Sequence, residues 1–236
     1  MKQEQKTQKL HPDVIILEEA SLELVPKKYW SHASCKLFES RFGVPPESQI
    51  LDDNFHHEIV EKLPRKEKRG RPDIVHFALL DIVSTPAYQE SIIRPIIHTV
   101  NDETILVGDR VRIPRTELRF SGVMSKILRK QHGVAEKNLF EESGVRKTRE
   151  LLKSLELDEV ICLTSQGMLR DLRHYVASHI GDKSSTAWIV GGFARGHFTE
   201  ELKGLANDLI SISDRPLAAH VVTARLSYEL ERSKMS

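Results

Sequence analysis

Four short, mainly apolar runs stand out from the polar background of the chain, at residues 14–17, 160–163, 187–190 and 209–212. An uninterrupted apolar run needs cover on both faces, which is typical of a buried strand in a parallel sheet. The pattern therefore predicts four buried strands. None of the runs approaches the roughly 20 apolar residues that a membrane span requires, so we expect no contact with a membrane.

Apolar residues three or four positions apart predict helices between these strands. The clearest case is residues 168–179, where Leu169, Leu172 and Val176 recur at helical spacing. Pro72 suits the first turn of a helix and Pro86 suits its end. The other predicted helices cover residues 29–41, 120–130 and 216–231.

Residues 94–100 and 103–107 flank the pair Asn101-Asp102, which predicts a hairpin. Elsewhere strands and helices alternate with short turns, and this order indicates an α/β fold with a mainly parallel sheet. Ligands of such sheets bind beyond the carboxyl ends of the strands. Predicted strand ends fall at Thr164, Gly191 and Ser213, so we expect a small-molecule site there.

A length of 236 residues favours one elaborated domain, preceded by polar residues 1–12 that we expect to be disordered. The net charge of +1 does not by itself indicate a polyanion binder. The charge is uneven, however: residues 62–71 carry six basic residues and one acid, and residues 110–130 carry seven and one. Local patches of this kind can bind polyanions.

Cysteines and histidines add little chemistry. Cys35 and Cys162 form neither a CxxC pair nor a disulfide framework, which favours a reducing, cytoplasmic compartment. The eleven histidines show no zinc-binding spacing, so we expect no metal.

Residues 191–196, Gly-Gly-Phe-Ala-Arg-Gly, follow a predicted strand. Glycines there allow backbone groups to approach a ligand closely, although an ordinary glycine turn explains them equally well. The spacing matches neither the dinucleotide-binding fingerprint nor a P-loop.

Three arginines surround Pro114, which disfavours helix at the residue before it. Arg112 is therefore expected in an extended segment, and Arg115 and Arg119 on one helical face. Guanidinium groups suit phosphate oxygens and stacked bases, whereas the alternative is a solvated charged face. The scarcity of acids in this segment favours the first interpretation.

Asp73 lies two residues after Arg71, near a predicted helix start. A carboxylate there can pair with Arg71, or it can cap the helix and interact with the helix dipole. The sequence leaves both roles open.

At these segments the chain resembles the Emg/Nep-type ribosome-biogenesis methyltransferases of the SPOUT superfamily. The likeness rests on Arg69-Gly-Arg-Pro-Asp-Ile-Val-His76, on Ile97-His-Thr99, and on the segment from Arg112 to Met124. It continues through residues 190–196 and 210–217, and it starts weakly at residues 17–23. It thus covers residues 13–231.

The resemblance implies a trefoil-knotted domain over residues 13–236, with a cofactor-binding knot at about 158–231, family-specific insertions and a homodimer. It implies S-adenosylmethionine as cofactor and S-adenosylhomocysteine as product. The matching cofactor-binding positions are Thr164, Gly191, Gly196, Ile212, Ser213, Asp214, Arg215, Pro216 and Leu217.

The implied reaction is methylation of a pseudouridine N1 in small-subunit ribosomal RNA. Arg71, Arg112, Arg115 and Arg119 are the implied RNA contacts. Arg71 would also stabilise negative charge on the base, and Asp73 would orient Arg71 or act as general base. Ribosome-assembly proteins are further possible partners, and a eukaryotic member would be nucleolar.

Two segments depart from the family pattern. Ala194-Arg195 replaces a pair that ends in histidine, and residues 83–88, Val-Ser-Thr-Pro-Ala-Tyr, replace the usual Asp-Ser-Pro-Leu-Asn. Two rival functions also remain open. One is a SPOUT enzyme that acts on another RNA nucleotide. The other is an RNA-binding assembly factor whose methylation is secondary or lost. We see no motif that reads a DNA groove.

Overall fold

The structure, a computed structural model, describes residues 12–130, 140–179 and 185–235. The predicted disorder of residues 1–12 therefore falls, apart from Pro12, outside the described residues. The strands are β1 Asp13–Ala20, β2 Ile93–Thr99, β3 Glu103–Val107, β4 Phe140–Val145, β5 Glu159–Leu169, β6 Thr186–Gly191 and β7 Asp208–Ser211.

The helices are α1 Ala33–Phe42, α2 Asp53–Val60, α3 Pro72–Val83, α4 Pro86–Gln89, α5 Glu117–Leu128, α6 Thr148–Ser154, α7 Leu172–His179, α8 Glu200–Lys203 and α9 Ala219–Met235. Short 3-10 turns cover Lys27–Tyr29, Pro46–Ser48 and Lys66–Lys68. No helix in these described stretches is long and apolar enough to cross a membrane.

The described strands form one sheet in the order β4-β3-β2-β1-β6-β5-β7. The neighbouring strands β2, β1, β6, β5 and β7 pair in parallel. Strands β3 and β4 extend the sheet beyond β2 with antiparallel pairs. The expected α/β class and the hairpin around residues 101–102 are confirmed. All eight residues of β1 are buried, which agrees with its central place in the order.

Alternate residues of β1 face different layers, which explains its uninterrupted apolar run. Ile15 and Leu17 pack with α3, α5 and α9, while Val14 and Ile16 pack with α6 on the other face. The 470 Å³ cavity described below opens where β5, β6 and β7 end, beside the layer that contains α3 and α9.

Several helix starts differ from the sequence predictions. The prediction of helix from residue 168 was wrong, because Met168 and Leu169 remain extended and pair with β7, and α7 begins at Leu172. Likewise α1 begins at Ala33, not residue 29, and α9 begins at Ala219, not residue 216. Apolar spacing alone does not reveal that a strand has pairing partners beyond its apolar run.

Candidate active site

A cavity of about 470 Å³ lies at the carboxyl ends of β5, β6 and β7, where the sequence predicts a small-molecule site. Asp214 is the one predicted cofactor-binding residue that does not line it. The predicted residues that do line it are Thr164, Gly191, Gly196, Ile212, Ser213, Arg215, Pro216 and Leu217. The structure thus brings together residues from three separate loops.

The first wall is a bulge inside β5. Both Leu163 and Met168 are in register with Ile210 of β7, so the residues between them leave the ladder. Thr164 and Ser165 line the cavity from this excursion, which is the turn that the sequence predicts. A Cβ at Gly167 would lie 2.5 Å from the Ile210 backbone, so the close return to β7 requires a glycine there.

The second wall is the loop of residues 191–196, named the glycine loop below. The Gly192 N–H donates to the Glu18 carbonyl at 2.9 Å, and a Cβ at Gly192 would lie 2.8 Å from the Ala20 Cα. Gly192 is therefore required by packing against β1, whereas Gly191 and Gly196 line the cavity. The interpretation of Gly191 and Gly196 as cofactor-binding residues stays a prediction.

Arg71 and Asp73 reach the cavity from the start of α3. Pro72 occupies the first helical position, as predicted, and Arg71 is the N-cap residue without a side-chain cap. The Arg71 Nε donates to Asp73 Oδ1 at 2.8 Å, and its Nη2 donates to Oδ2 at 2.7 Å. The Asp73 carboxylate therefore holds a guanidinium, and the capping alternative is wrong.

The hydrogen bond that Arg71 donates to Asp73 raises the pKa of Arg71, with further contributions from the charges of Asp73, Asp52 and Asp53. Burial raises the pKa of Glu117, and the carboxylates of Asp52 and Asp73 add to that rise. Arg71 therefore stays charged throughout the physiological pH range.

Arg112, Arg115 and Arg119 are exposed and do not line the cavity. The prediction that Arg115 and Arg119 share a helical face was wrong, because Thr116 is extended and α5 begins only at Glu117. The segment before α5 is nevertheless fixed to α3, since His76 Nε2 lies 2.6 Å from the Pro114 carbonyl oxygen. His76 lies three residues beyond Asp73 on the same helix.

Tyr88, in the segment 83–88 that departs from the family pattern, supports the chain before α5. Its hydroxyl donates to the Gly108 carbonyl and accepts a hydrogen bond from the Val111 N–H at 2.9 Å. Burial raises the pKa of this hydroxyl, which stays protonated. The other departure, Ala194-Arg195, puts Ala194 on the cavity wall and leaves Arg195 off it.

The basic segment 62–71 is only partly available to a polyanion. Lys68 and Arg69 are buried in ion pairs with Glu19 and Glu23, respectively. The expectation that this basic patch can bind a polyanion was wrong for these two residues, because carboxylates already neutralise them. The sequence does not show this, since the two partners lie more than 40 positions away.

His98, from the family motif in β2, is buried away from the cavity. Its Nδ1 lies 2.7 Å from a Glu18 carboxylate oxygen, and its Nε2 lies 2.8 Å from the Arg146 carbonyl oxygen. Burial lowers its pKa, but the hydrogen bond and charge of Glu18 outweigh that effect, and the pKa is raised. Both neighbours accept hydrogen bonds, so the geometry fits a doubly protonated ring.

Sequence reasoning missed four aromatic residues of the cavity wall: Phe77, His197, Phe198 and His220. Phe77 is 48% exposed, and its ring lies 6.2 Å from the His220 ring. Phe77 lies four residues after Asp73, and residues at this spacing share a face of a helix, so the sequence could have placed Phe77 beside Asp73.

Within the described ranges, no group of three or more His, Cys, Asp or Glu residues could hold a metal ion.

The mainly parallel sheet, with three loops around a cavity at its strand ends, agrees with the α/β architecture that the resemblance to the Emg/Nep-type methyltransferases implies. One solved structure similar to this chain is that of Archaeoglobus fulgidus Nep1 bound to S-adenosylhomocysteine. The two share 29% sequence identity with a TM-score of 0.81, over 95% of this chain and 100% of that one.

The model of the EMG1/NEP1 methyltransferase family matches residues 15–231, and this chain belongs to that family. Two relatives carry the name ribosomal RNA small subunit methyltransferase Nep1. The protein from Staphylothermus marinus is 33% identical, over 91% of this chain and 93% of its own length. The protein from Thermococcus kodakarensis is also 33% identical, over 92% and 96%.

Proposed function

We propose that this protein transfers the methyl group of S-adenosylmethionine to N1 of a pseudouridine in small-subunit ribosomal RNA. The observation that carries the proposal is the cavity itself. It joins the loops that the family resemblance assigns to the cofactor with the Arg71–Asp73 pair. The names of the relatives support ribosomal RNA as substrate.

The residues of the cavity fit the cofactor. A volume of about 470 Å³ lies within the usual range for small-molecule sites. Ile212 and Leu217 offer apolar surface, while Thr164 and Ser213 offer hydroxyl groups. When bound, the cofactor supplies an electrophilic methyl group on a sulfonium centre and leaves as S-adenosylhomocysteine.

The chain's own part in the reaction is to activate and position the base. Pseudouridine is joined to ribose through carbon, so its N1 bears a proton, which passes to solvent water before or during methyl transfer. Arg71 keeps its positive charge at the cavity wall, where it stabilises negative charge on the base. Both Asp73 oxygens accept hydrogen bonds from Arg71, which favours the orienting role of Asp73 over that of a general base.

The exposed arginines Arg112, Arg115 and Arg119 serve the RNA backbone in this proposal. Their segment is fixed to α3, the helix that carries Asp73, so bound RNA would lie beside the cavity. A base inside a helix cannot reach a cavity between loops, so the target base must be unstacked.

We also propose that the protein works as a homodimer. A groove of about 560 Å³ borders the cofactor cavity through Ile212, which lines both. Leu169 and Tyr228 line it and are 59% and 56% exposed. Three arginines share the groove, Arg170, Arg173 and Arg225. Exposed aromatic and apolar residues with arginines are typical of interface cores.

Light scattering should give twice the 27.0 kDa mass of the chain, and Tyr228→Glu should give the monomer. A monomeric wild type would contradict the dimer.

Cytoplasmic localisation, or nucleolar localisation in a eukaryote, is also part of the proposal.

The test of the function uses labelled S-adenosylmethionine and two small-subunit hairpins that differ only at the loop target, uridine or pseudouridine. We expect transfer to the pseudouridine hairpin alone. Equal transfer to both hairpins would point to a SPOUT enzyme with another target. No transfer, with the hairpin bound and no cofactor binding, would support the RNA-binding assembly factor instead.

A further inference from the structure

The end of β1 contacts both sides of the candidate active site. Residues 18–21, named the β1 turn below, interrupt the register between β1 and β2, and Glu19 adopts a left-handed φ of 50°. The turn forms the end of the central strand of the sheet. It belongs to a segment where the family resemblance is weak, residues 17–23.

One side of the β1 turn holds the glycine loop. The Gly192 N–H donates to the Glu18 carbonyl at 2.9 Å, and the Ser21 N–H donates to the Gly192 carbonyl at 2.8 Å. The neighbouring Gly191 lines the cavity. Two backbone hydrogen bonds thus fix the cofactor side of the site to the end of β1.

The other side of the turn holds the catalytic arginine. The backbone N–H of Arg71 donates to Ser21 Oγ at 2.7 Å. Ser21 is 1% exposed, so this bond has little competition from water. Ser21 therefore makes one hydrogen bond to the glycine loop through its backbone and one to Arg71 through its side chain.

A buried ion pair reinforces the same turn. Lys68 Nζ lies 2.5 Å from a Glu19 carboxylate oxygen, and both side chains are buried. The ammonium also lies 4.6 Å from the centre of the Phe193 ring, which is part of the cavity wall. Glu19 thus supports the glycine loop through Lys68, independently of Ser21.

We propose that Ser21 is a positioning residue, which fixes the distance between the glycine loop and the Arg71 guanidinium. The inference rests on the proposed function. Methyl transfer requires that donor and base are held in line, and small misplacements of reacting groups cost large factors in rate. Ser21 does not line the cavity, so its hydroxyl should affect the rate of transfer and not the binding of the cofactor.

The first variant is Ser21→Ala, which removes the acceptor for the Arg71 N–H and keeps the backbone bond to Gly192. We expect kcat for methyl transfer to the pseudouridine hairpin to fall about tenfold or more. The Kd for S-adenosylmethionine, measured by calorimetry, should stay within about twofold of wild type. A loss of cofactor affinity in proportion to the loss of kcat would overturn the inference.

Two further variants separate positioning from general packing. Ser21→Cys keeps the shape of the side chain, with a slightly larger atom, but offers only a weak acceptor, so its kcat should resemble that of Ser21→Ala. Ser125→Ala is the matched control, because Ser125 is also buried and its hydroxyl bonds to a backbone group, the Ser48 carbonyl. It should lose thermal stability to a similar degree and keep wild-type kcat.

The wild-type assay distinguishes the two proposals. Wild-type turnover that survives in Ser21→Ala, or that falls equally in Ser125→Ala, would overturn the role of Ser21 and leave the proposed function standing. No turnover by the wild type would overturn the proposed function, and this inference with it.

Discussion

At the scale of single residues, the pair of Arg71 and Asp73 decides how the candidate active site works. In Asp73→Asn an amide nitrogen replaces one of the two oxygens that accept from the guanidinium. The amide therefore loses one hydrogen bond from Arg71, and its N–H group faces an N–H group of the guanidinium. We expect kcat for methyl transfer to fall roughly 100-fold, the loss seen when one preorganised electrostatic contact is removed.

The cofactor Kd should change far less than kcat in Asp73→Asn, because the three loops assigned to the cofactor are untouched. Asp158→Asn serves as the control, since Asp158 is exposed just before β5 and asparagine can still accept the hydrogen bond from the Ser185 N–H. Full turnover by Asp73→Asn would exclude both the orienting and the general-base role of Asp73.

Arg115 tests the RNA side of the site. Arg115→Ala should weaken hairpin binding and reduce the slope of log affinity against log salt by roughly one. Cofactor affinity should stay unchanged, because Arg115 does not line the cavity. Arg149→Ala is the control, since Arg149 is exposed on α6, which packs on the opposite face of the sheet from α3. Equal losses of RNA and cofactor affinity would contradict this division.

At this same scale, sequence reasoning succeeded where the signal is local. Asp73 lies two residues from Arg71, and the structure joins them. It failed where the partner is remote: nothing near Lys68 indicates that Glu19, 49 positions earlier, buries its charge. The hydroxyl of Ser21 was equally hidden, because its partner Arg71 is 50 positions away.

At the scale of elements, the close approach of the glycine loop to β1 sets a steric limit. A Cβ at Gly192 would lie 2.8 Å from the Ala20 Cα, and backbone cannot give way cheaply. We expect Gly192→Ala to lower both the melting temperature and the cofactor affinity. Gly122→Ala is the matched control, because nothing lies within 4 Å of a Cβ there and alanine favours helix α5 by up to about 1 kcal/mol. Wild-type cofactor binding by Gly192→Ala would contradict the close approach.

The strands were predictable because burial on both faces leaves a continuous apolar run, as in β1 and β6. The end of β5 was not. Residues 168–169 have the helical spacing of α7 but lie in the sheet, because β7 supplies a partner that only the folded chain reveals. The three loops of the site converge because β6, β5 and β7 are neighbours in the sheet. That order of strands could be inferred only from the family resemblance.

At the scale of the whole molecule, the two ends of the described chain meet at the amino end of β1. Helix α9 packs against α3, which carries Asp73. Its last turn reaches back to the start of β1, where Lys234 Nζ lies 2.9 Å from Asp13 Oδ2. The other Asp13 oxygen accepts from the Thr186 N–H at the start of β6. One buried carboxylate thus joins the central strands to the helix behind the active site.

Lys234→Met tests this connection, because it leaves the buried Asp13 carboxylate without its countercharge. Removal of one partner of a buried ion pair typically costs about 3–5 kcal/mol of unfolding free energy. Lys36→Met, on the exposed surface of α1, should cost far less. The double variant Asp13→Asn/Lys234→Met should recover part of the loss, since no charge stays buried.

The loss in Lys234→Met should also depend on pH. Burial already raises the pKa of Asp13 in the folded protein, and Lys234 counteracts that rise. Without Lys234 the folded-state pKa rises further, so the folded protein holds a proton that the unfolded chain has released. Stability then falls as pH rises through this wider interval. The deficit in melting temperature should therefore be larger at pH 8 than at pH 5, and an equal deficit at both would show that Lys234 contributes packing alone.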